Sequence, residues 1–393
     1  NNMATIPSIA MIPSGVKASK LYSVLPTNGD GDFTTTRASV ATRVNESRLI
    51  EEVAANVPRL DYSDGTCPSL LLEPTSTNLV LTSDSGSYGS APASETLTIS
   101  PDGTNNAVIP TPNSGSNRYQ QDITGGTYAT NTLLTYSWYR KRISTPVLTT
   151  YVGDLNIQTL VNLTISEATK QIESGINGFD RFQVVVQITD GSLVSNFRAY
   201  FGTIVEVGNS SIAYFGHQLE ENSYATSLIN TVGISLTRVA DTASGSGSST
   251  VINSSEGVLY AEISALANDD NFRFITLSNG GDVNNSVRLY LYDGIYGRVL
   301  VAGVEQFVSF TTSYDMLDVN KIAIKYKEND FGLWINGVEI GSSLSGSIFP
   351  IGSLDTLNFN RAGGQFPFYG KTKSVQVYTT ALSDAELTSL TTI

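Results

Sequence analysis

Few side chains in this sequence could act as a nucleophile or a general base. His217 is the only histidine and Cys67 the only cysteine. In the alternation of a β-strand His217 shares a face with Phe215 and Leu219, so we expect a buried structural residue. No Gly-x-Ser-x-Gly motif precedes it, and Cys67 lies in a turn beside a proline. Acyl transfer is therefore poorly supported, and one histidine with one cysteine nearly excludes a zinc site.

Paired carboxylates are the catalytic arrangement that the composition leaves open, because glycoside hydrolysis needs only two of them at a set spacing in a cleft. Glu328 and Asp330 come closest to such a pair on one strand face. Phe331 and Gly332 follow within a predicted hairpin turn, so we expect both acids to be solvated turn residues. No phosphate-binding loop or dinucleotide motif follows a predicted strand, which argues against nucleotides.

Acidic turns between predicted strands offer oxygen ligands for calcium. Asp269 and Asp270 precede an asparagine in one turn, and Asp282 lies with two asparagines in another. Carboxylate and amide oxygens are the ligands that Ca²⁺ takes in proteins, although no EF-hand loop is present. Solvated turns are the ordinary role of such acids. Ca²⁺ at Asp269, Asp270 and Asp282 is the only cofactor that the sequence suggests.

Aromatic side chains point instead to sugar binding. Glycan sites combine aromatic faces, which contact sugar C–H groups, with polar groups that bind hydroxyls. Tyr290, Tyr292 and Tyr296 lie around an Asp-Gly turn and are the tyrosines that we expect to be exposed. Arg361 and Gln365 bound a glycine-rich loop that could form the rim of a site. These five residues are the predicted glycan-binding residues.

Other conspicuous residues have ordinary structural roles available. Trp138 and Trp334 are expected in sandwich cores, because large aromatic side chains fill such cores first. The basic triplet Arg140, Lys141 and Arg142 stands out in an acidic chain. We expect it to be a solvated strand end, with an anionic sugar as the alternative ligand.

The composition describes a globular chain that is poor in charge. Of its 393 residues, 40% are hydrophobic and only 15% are charged, against about 25% in an average soluble protein. The net charge of −13 argues against nucleic acid and anionic membranes, since phosphate binding needs a basic face. No run of 18 apolar residues occurs, so membrane insertion is not expected.

Short strands dominate the predicted secondary structure. Runs rich in Val, Ile, Thr, Tyr and Phe alternate with Gly, Asn, Asp and Ser, which is typical of all-β sandwiches. Segment 241–250 is rich in glycine and serine and is predicted to be a flexible linker. We predict a mostly irregular region at 1–77 and antiparallel β-sandwiches at 78–240 and 251–393. The candidate strands are 96–99, 133–139, 147–152, 160–165, 182–188, 197–201, 211–219, 258–263, 272–277, 287–292, 298–301, 307–310, 321–326, 332–336, 357–359 and 374–378.

Three parts of the sequence follow patterns known from other proteins. The first consists of 33–45, 49–53, 56–62, 67–74 and 78–79. The second is 216–229, followed by 237–241. The third includes 321–326, the Asn336-Gly337 hairpin signal and 366–371, closed by a short capped helix at 381–387. Together they resemble the leader, the jelly-roll exit and the laminin G-like, concanavalin A-like end of tailed-bacteriophage virion appendage proteins.

The resemblance implies an attachment or oligomerisation region at 1–77, a jelly-roll, carbohydrate-binding-like module at 78–240 and a laminin G-like or concanavalin A-like domain at 251–393. The implied role is that of a non-catalytic phage fibre or spike protein at the virion surface, outside the cell, which binds host surface glycans. A homotrimer is expected by the same resemblance. Its N-terminal region would contact other virion proteins. Apolar residues of this region, such as Ile6, Ile9, Val16, Leu21 and Leu25, are the expected contacts between subunits.

Two alternatives remain open. A polysaccharide lyase or glycoside hydrolase of the phage particle would need a matched carboxylate pair, or a tyrosine and histidine, in one cleft. A purely structural capsid decoration protein would bind no host glycan at all.

Overall fold

The computed structural model describes residues 5–84, 94–111, 119–143, 156–157, 163–192, 195–201 and 212–393. These residues form 30 strands and one short helix, and the predicted all-β class is confirmed. The sheets are antiparallel. The predicted strand at 147–152 and the first residues of that at 160–165 lie outside the described residues.

The strands are short, as expected for sandwiches. In chain order the elements are β1 (Ile9–Met11), β2 (Val16–Lys17), β3 (Lys20–Leu21), β4 (Phe33–Thr36), β5 (Ala41–Val44), β6 (Ile50–Val53), β7 (Arg59–Asp61), β8 (Ser69–Leu72), β9 (Ser76–Asn78), β10 (Ser94–Thr98), β11 (Ala107–Thr111), β12 (Tyr119–Gly126), β13 (Leu133–Arg142), β14 (Asn156–Ile157), β15 (Leu163–Ile176), β16 (Phe179–Ile188), β17 (Ser195–Phe201), β18 (Ile212–Glu220), β19 (Leu236–Arg238), β20 (Thr242–Ser244), β21 (Glu256–Ala265), β22 (Arg273–Ser278), β23 (Ser286–Leu291), β24 (Ile295–Val301), β25 (Val304–Thr311), β26 (Asn320–Lys327), β27 (Phe331–Ile335), β28 (Val338–Ser343), β29 (Thr356–Asn358), β30 (Gly370–Tyr378) and α1 (Asp384–Thr391).

Two compact units divide the chain, and each is built from more than one segment. Unit 1 comprises Asn1–Ala38, Ala54–Pro74 and Ala240–Ile393, and unit 2 comprises Ser39–Val53 and Thr75–Val239. This division differs from the predicted one, which cut the chain only at consecutive positions. The difference arises because N-terminal strands pair with strands far along the sequence.

The N-terminal region belongs to the sheets of unit 1. β1 and β8 both pair with β30, and β4 pairs with β20. The region predicted to be mostly irregular therefore contains strands, and the predicted linker contains β20 beside the buried Asp241. Local composition could not reveal this, since Thr36 and Thr242 pair across 206 positions.

Two sheets of unit 1 enclose its main core. One has eight strands, in the order β28-β27-β26-β21-β30-β8-β7 with β1 paired to β30. The other has five, in the order β25-β24-β23-β22-β29. Alternate side chains from both sheets are buried in one apolar cluster, for example Leu259 and Ile324 from the first and Leu277 and Leu289 from the second. A small four-stranded sheet, β2-β3-β4-β20, completes the unit.

Helix α1 packs on the opposite side of the eight-stranded sheet. Its first turn carries a capping box, in which Ser383 and Glu386 satisfy each other's backbone N–H groups. Leu387 of the helix joins a second apolar cluster with Tyr260 and Trp334. Trp334 is 1% exposed, so its predicted core position is confirmed.

The hairpin predicted at Asn336-Gly337 joins β27 to β28. Both residues have positive φ angles, 51° and 83°. A type I′ turn requires this conformation at both central positions, and its twist matches that of the flanking strands. The dipeptide therefore sets the register of this edge of the sheet.

Apolar residues near the N terminus contribute to the core of unit 1. Ile9 and Leu21 are both 0% exposed within the main cluster. They are core residues rather than the intersubunit contacts that the resemblance suggested. Val16 and Leu25 are half-buried, and of the five only Ile6 is exposed.

Unit 2 contains a six-stranded sheet in the order β10-β11-β18-β13-β16-β15 and a three-stranded sheet in the order β12-β17-β14. β5 pairs with β6, and β9 with β19. Trp138 is buried beside Val184 and Leu219 and stacks on Phe182 at a ring distance of 6.0 Å. Its predicted core position is also confirmed.

A buried ionic network joins three segments of unit 1. Arg59 forms ion pairs with Glu73 and with Asp241, and Arg37 binds the other oxygen of Asp241 at 3.0 Å. All four side chains are at most 5% exposed. All four residues stand in the sequence patterns that resemble phage proteins. Within this chain those residues have a structural role.

A second buried network lies in unit 2. Glu220 accepts hydrogen bonds from Ser76 at 2.6 Å, from Gln218 at 2.7 Å and from the backbone N–H of Thr226 at 2.9 Å. Arg238 donates to the hydroxyl of Thr226 at 3.2 Å. All of these residues except Ser76 also come from the resembling segments, and here they fix the exit of the chain from the six-stranded sheet.

Candidate functional site

The outer face of the five-stranded sheet in unit 1 carries a row of aromatic side chains. Leu277 and Leu289 point into the core, and the residues that alternate with the core positions point outward. The strand register places Phe274 opposite Tyr290, Tyr290 opposite Tyr296, and Tyr296 opposite Phe310. Directly opposed side chains on neighbouring strands have Cβ atoms about 5 Å apart, so the four rings must meet.

The rings of this row stack face to face across four strands. Ring centroids are 4.6 Å apart for Phe274 and Tyr290, 4.7 Å for Tyr290 and Tyr296, and 4.8 Å for Tyr296 and Phe310. The interplanar angles are 24°, 11° and 11°. The rings therefore stand upright on the sheet and support one another.

A second aromatic pair extends the row towards one end of the sheet. Phe272 and Tyr292 stack at 4.2 Å, and Phe366 meets Phe272 edge-on at 5.6 Å. We call the whole set the aromatic face. It consists of Phe272, Phe274, Tyr290, Tyr292, Tyr296, Phe310 and Phe366.

Exposure is greatest at the ends of the aromatic face. Phe310, on the edge strand β25, is 55% exposed, and Phe366 is 42% exposed. Phe274 is buried, and Tyr290 and Tyr296 are half-buried. Inner rings offer edges and hydroxyl groups to solvent, because their faces are occupied by neighbouring rings. Phe310 has a ring neighbour on one side in the row and is the ring best placed to offer a face to a ligand.

The hydroxyls of Tyr290 and Tyr296 are neutral at physiological pH. Burial raises the pKa of Tyr290, and burial together with a hydrogen bond to Asp293 raises the pKa of Tyr296 to about 12. A neutral phenol can both donate and accept a hydrogen bond. The hydroxyls can therefore pair with sugar hydroxyls over the whole physiological range.

A row of arginines lies beside the aromatic row. Arg288 is opposite Arg298 in the register of β23 and β24. Arg361, in the loop after β29, lies 5.2 Å from the ring of Phe366. Burial, followed by the positive charges of Arg361 and Arg298, lowers the pKa of Arg288 to about 10. Three guanidinium groups therefore share one end of this face.

The structure places the predicted glycan-binding residues on or beside this face. Tyr290, Tyr292 and Tyr296 are in the stacked rows, and Arg361 lies over Phe366. Gln365 is exposed, and its backbone carbonyl accepts from the N–H of Arg361 at 2.8 Å. Their role in binding stays a prediction, but their proximity follows from the fold.

Several residues of the face escaped the sequence analysis. The alternation of Phe272 and Phe274 with apolar core positions was a visible signal for two outward aromatic residues. For Phe310, Arg288 and Arg298 no local signal existed. Their proximity depends on the register between strands, which is fixed by the tertiary fold.

The predicted calcium ligands do not converge. Asp269 pairs with Arg273 at 2.6 Å, while Asp282 accepts from the N–H of Asn284 and the amide of Asn285, both at 2.8 Å. Asp269 and Asp270 precede β22 and Asp282 follows it, so roughly 20 Å of strand separates them. Among the described residues no group of three His, Cys, Asp or Glu side chains could hold a metal ion. Calcium binding at Asp269 and Asp270 in one turn, or at Asp282 in the other, stays a prediction.

One acid of the pair in the β26–β27 turn is bound by a neighbouring lysine. Asp330 binds Lys325 at 2.7 Å, and Glu328 is exposed. Both acids are turn residues, as expected from the sequence.

The basic triplet of β13 is engaged within unit 2. The guanidinium of Arg140 lies 3.9 Å from the ring centroid of Phe182, and Lys141 donates to the carbonyl of Asn177 at 3.2 Å. Arg142 is exposed at the end of the strand. Only this last residue matches the expected solvated strand end.

His217 is a buried structural residue, as predicted. It is 0% exposed, and its Nδ1 lies 2.8 Å from the hydroxyl of Tyr136. Burial lowers the pKa of His217 to about 3, so the ring is neutral at physiological pH. The free cysteine Cys67 is exposed in unit 1.

Comparisons with known proteins find similarity in solved structures only. No protein-family model matches the chain, and no curated protein matches it. The carbohydrate-binding module CBM40 of a Ruminococcus gnavus IT-sialidase is 21% identical, with 38% of this chain and 88% of that chain covered and a TM-score of 0.33. A leech intramolecular trans-sialidase is 19% identical, and the matched region covers 36% of this chain and 24% of the trans-sialidase chain, with a TM-score of 0.31.

Domain 4 of AbnA, an arabinanase from Geobacillus stearothermophilus, is 13% identical, covers 39% of this chain and 73% of its own, and also has a TM-score of 0.31. All three similarities are partial and concern the fold alone.

Among the described residues, no helix has the length and apolarity needed to cross a membrane.

Proposed function

We propose that the aromatic face of unit 1 binds a glycan without catalysing a reaction on it. The observation that carries this proposal is the row of stacked rings from the buried Phe274 to the exposed Phe310, bordered by arginines and a glutamine. Sugar rings combine an apolar C–H surface with a periphery of hydroxyls. An aromatic surface with polar groups at its edge complements both parts.

The individual contacts can be assigned on this proposal. The exposed face of Phe310 stacks on the C–H side of one sugar ring. The hydroxyls of Tyr290 and Tyr296 and the amide of Gln365 pair with sugar hydroxyls. Because the rings already support one another, little side-chain entropy is lost when a ligand binds, which favours affinity.

Replacing the exposed ring tests the proposal. Phe310→Ala is expected to weaken glycan binding roughly five- to tenfold, from the loss of about 1 kcal/mol of stacking. The full chain would be applied to an array of bacterial surface polysaccharides, and each positive ligand would be titrated by calorimetry. Ile351→Ala removes a side chain that is 93% exposed outside this face and serves as the matched control. If no glycan binds, or if both variants bind like the parent, the proposal fails.

The wider setting that we propose comes from the sequence resemblance. The chain would be a fibre or spike protein at a phage virion surface, held by its N-terminal region and assembled as a homotrimer. Several shallow sites on one particle would raise avidity through effective concentration. Light scattering of the purified protein gives the oligomeric state, and a monomer at micromolar concentration would contradict the trimer.

The absence of catalysis is likewise a proposal. Incubating the protein with each glycan that it binds, followed by an assay for new reducing ends and unsaturated products, distinguishes binding from lyase or hydrolase activity. Release of either product would replace the adhesin with an enzyme.

A further inference from the structure

Arg288, Arg298 and Arg361 form the row of arginines beside the aromatic face, and the positive charge of this row is not balanced at Arg361. Arg298 forms an ion pair with Glu305, whose carboxylate lies 2.8 Å from its Nε, although this Nε makes no hydrogen bond. Asp282 is the acid that interacts with Arg288. Its two carboxylate oxygens accept hydrogen bonds from the backbone N–H of Asn284 and the side-chain amide of Asn285. Arg288 itself donates from Nε to Ser286 at 2.8 Å.

Arg361 has no such compensation. Within the described residues it makes no ion pair and no side-chain hydrogen bond, and its Nε is buried without a partner. Its guanidinium lies over the ring of Phe366, 5.2 Å from the ring centroid. A guanidinium is always charged and carries five N–H donors in a planar fork. An unpaired donor beside other positive charges lowers the stability of the protein without a ligand, and it favours the binding of an anion.

Unpaired hydroxyls lie on the same face. Thr276 is opposite Arg288 in the register, and its side chain alternates with the core residues Ile275 and Leu277. It is 0% exposed, and its Oγ1 has no hydrogen-bond partner within the protein. Ser278, two positions on, is also 0% exposed with an unpaired Oγ. Buried polar groups are nearly always paired, so two orphans beside three arginines point to a ligand.

We infer that Arg361 and Arg288, with Thr276 beneath them, form a subsite for the acidic group of a glycan, a carboxylate or sulfate attached to the sugar held by the aromatic face. The guanidinium fork matches a carboxylate or sulfate in geometry and charge. This inference rests on the proposed glycan binding. It deepens that proposal by naming the class of sugar.

The overall charge distinguishes this ligand from a nucleic acid. Aromatic and arginine side chains together also suit single-stranded nucleic acids. The net charge of −13, however, repels a polyanion at long range, whereas one acidic group on a sugar can be accommodated by the local positive excess.

Small ligands test the subsite without reference to any whole glycan. Saturation-transfer magnetic resonance on the full chain would compare glucuronate with glucose, with sodium sulfate as a competitor. We expect a signal from glucuronate that is several times larger than that from glucose, and its loss in Arg361→Gln. Lys327→Gln removes one positive charge from a side chain that is 49% exposed and should keep the signal. Equal signals for glucuronate and glucose, or an unchanged signal in Arg361→Gln, would overturn the inference.

Whole glycans separate this inference from the proposed function. Arg361→Gln should weaken the binding of oligosaccharides that carry one acidic group at least tenfold and leave that of neutral oligosaccharides unchanged, while Phe310→Ala should weaken both. If Phe310→Ala acts but Arg361→Gln does not, the face binds glycans and the acidic subsite is wrong. Binding of a single-stranded oligonucleotide at 150 mM salt in preference to glucuronate would also overturn it.

Discussion

Arg59 and Asp241, 182 positions apart in the sequence, form a buried ion pair within unit 1. The backbone N–H of Glu73 donates to the same carboxylate at 3.0 Å, and Arg37 binds its second oxygen. One aspartate therefore ties together the chain segments that carry β4, β7, β8 and β20. This relationship explains how a discontinuous unit closes around its own N-terminal region.

Removing the acid from this network is expected to be severe. Asp241→Asn leaves two arginines without their shared counter-charge in a site at most 5% exposed, which costs about 3 to 5 kcal/mol. Urea unfolding of unit 1, followed through the fluorescence of Trp334, measures the loss. Lys327→Ala, which breaks the exposed pair with Glu256, should change stability by less than about 1 kcal/mol. Similar effects of the two variants would contradict the structural role given to the network.

The buried networks also mark the limit of sequence analysis for this chain. The all-β class and the Asn336-Gly337 hairpin were predictable, because alternation and turn chemistry are local signals. The pairing of β1 with β30 was not, since nothing near Ile9 or Val377 specifies the other. For the same reason the serine- and glycine-rich segment suggested a linker, although its residues include a strand of unit 1.

The candidate site shows the same division. Tyr290, Tyr292 and Tyr296 were expected to be exposed because they lie around a turn, but the fold half-buries all three in stacked rings on one face. The three arginines became a group only through strand register and the position of the loop that carries Arg361. Charge in a sequence is visible, but the clustering of charge is a property of the tertiary fold.

His217 should make unit 2 sensitive to acid. The unfolded chain binds a proton at this histidine below about pH 6.5, whereas burial keeps the folded pKa at about 3. Stability is therefore lost as the pH falls from 6.5 towards 3, by about 2 kcal/mol between pH 7 and pH 5. Urea unfolding at both pH values, followed through Trp138 in a Trp334→Phe background, measures the loss.

The variant His217→Gln gives the control for this pH dependence. It has no titrating ring and retains an amide that can pair with the hydroxyl of Tyr136. We expect it to be less stable than the parent at pH 7 but to lose about 2 kcal/mol less on acidification. If the parent and His217→Gln respond equally to pH, other groups cause the effect.

Lys325 should stabilise the packing of helix α1. It is 6% exposed, lies 5.2 Å from the ring of Trp334 and binds Asp330 and Asp384 at 2.7 and 2.9 Å. Burial opposes its charge, but the hydrogen bonds to the two aspartates prevail and raise the pKa of Lys325. This contribution is therefore fully present at neutral pH and is lost only as the pH rises through the raised pKa.

Replacement by an apolar residue of similar length tests this role. Lys325→Met is expected to cost about 1 to 2 kcal/mol, because both partners remain partly solvated. A change in the fluorescence of Trp334 should accompany it. Lys327→Met, two positions away and half exposed, should change neither the stability nor the fluorescence. An unchanged melting temperature for Lys325→Met would show that the ion pairs do not hold the helix.

Gly297 sets the distance between the two main sheets directly behind the aromatic face. It lies opposite Leu289 on the inner side of β24, and a Cβ atom there would approach Leu333 Cδ1 of the other sheet to 2.8 Å. Overpacking of this kind costs about 1 to 3 kcal/mol, and Gly297→Ala should also weaken glycan binding by shifting Tyr296, its neighbour on the same strand. Because Leu333 is the clashing partner, the double variant Gly297→Ala/Leu333→Ala should be more stable than the sum of the single changes predicts. Melting temperatures of the four proteins complete this cycle, and strict additivity would show that the two sheets are not in contact at Gly297.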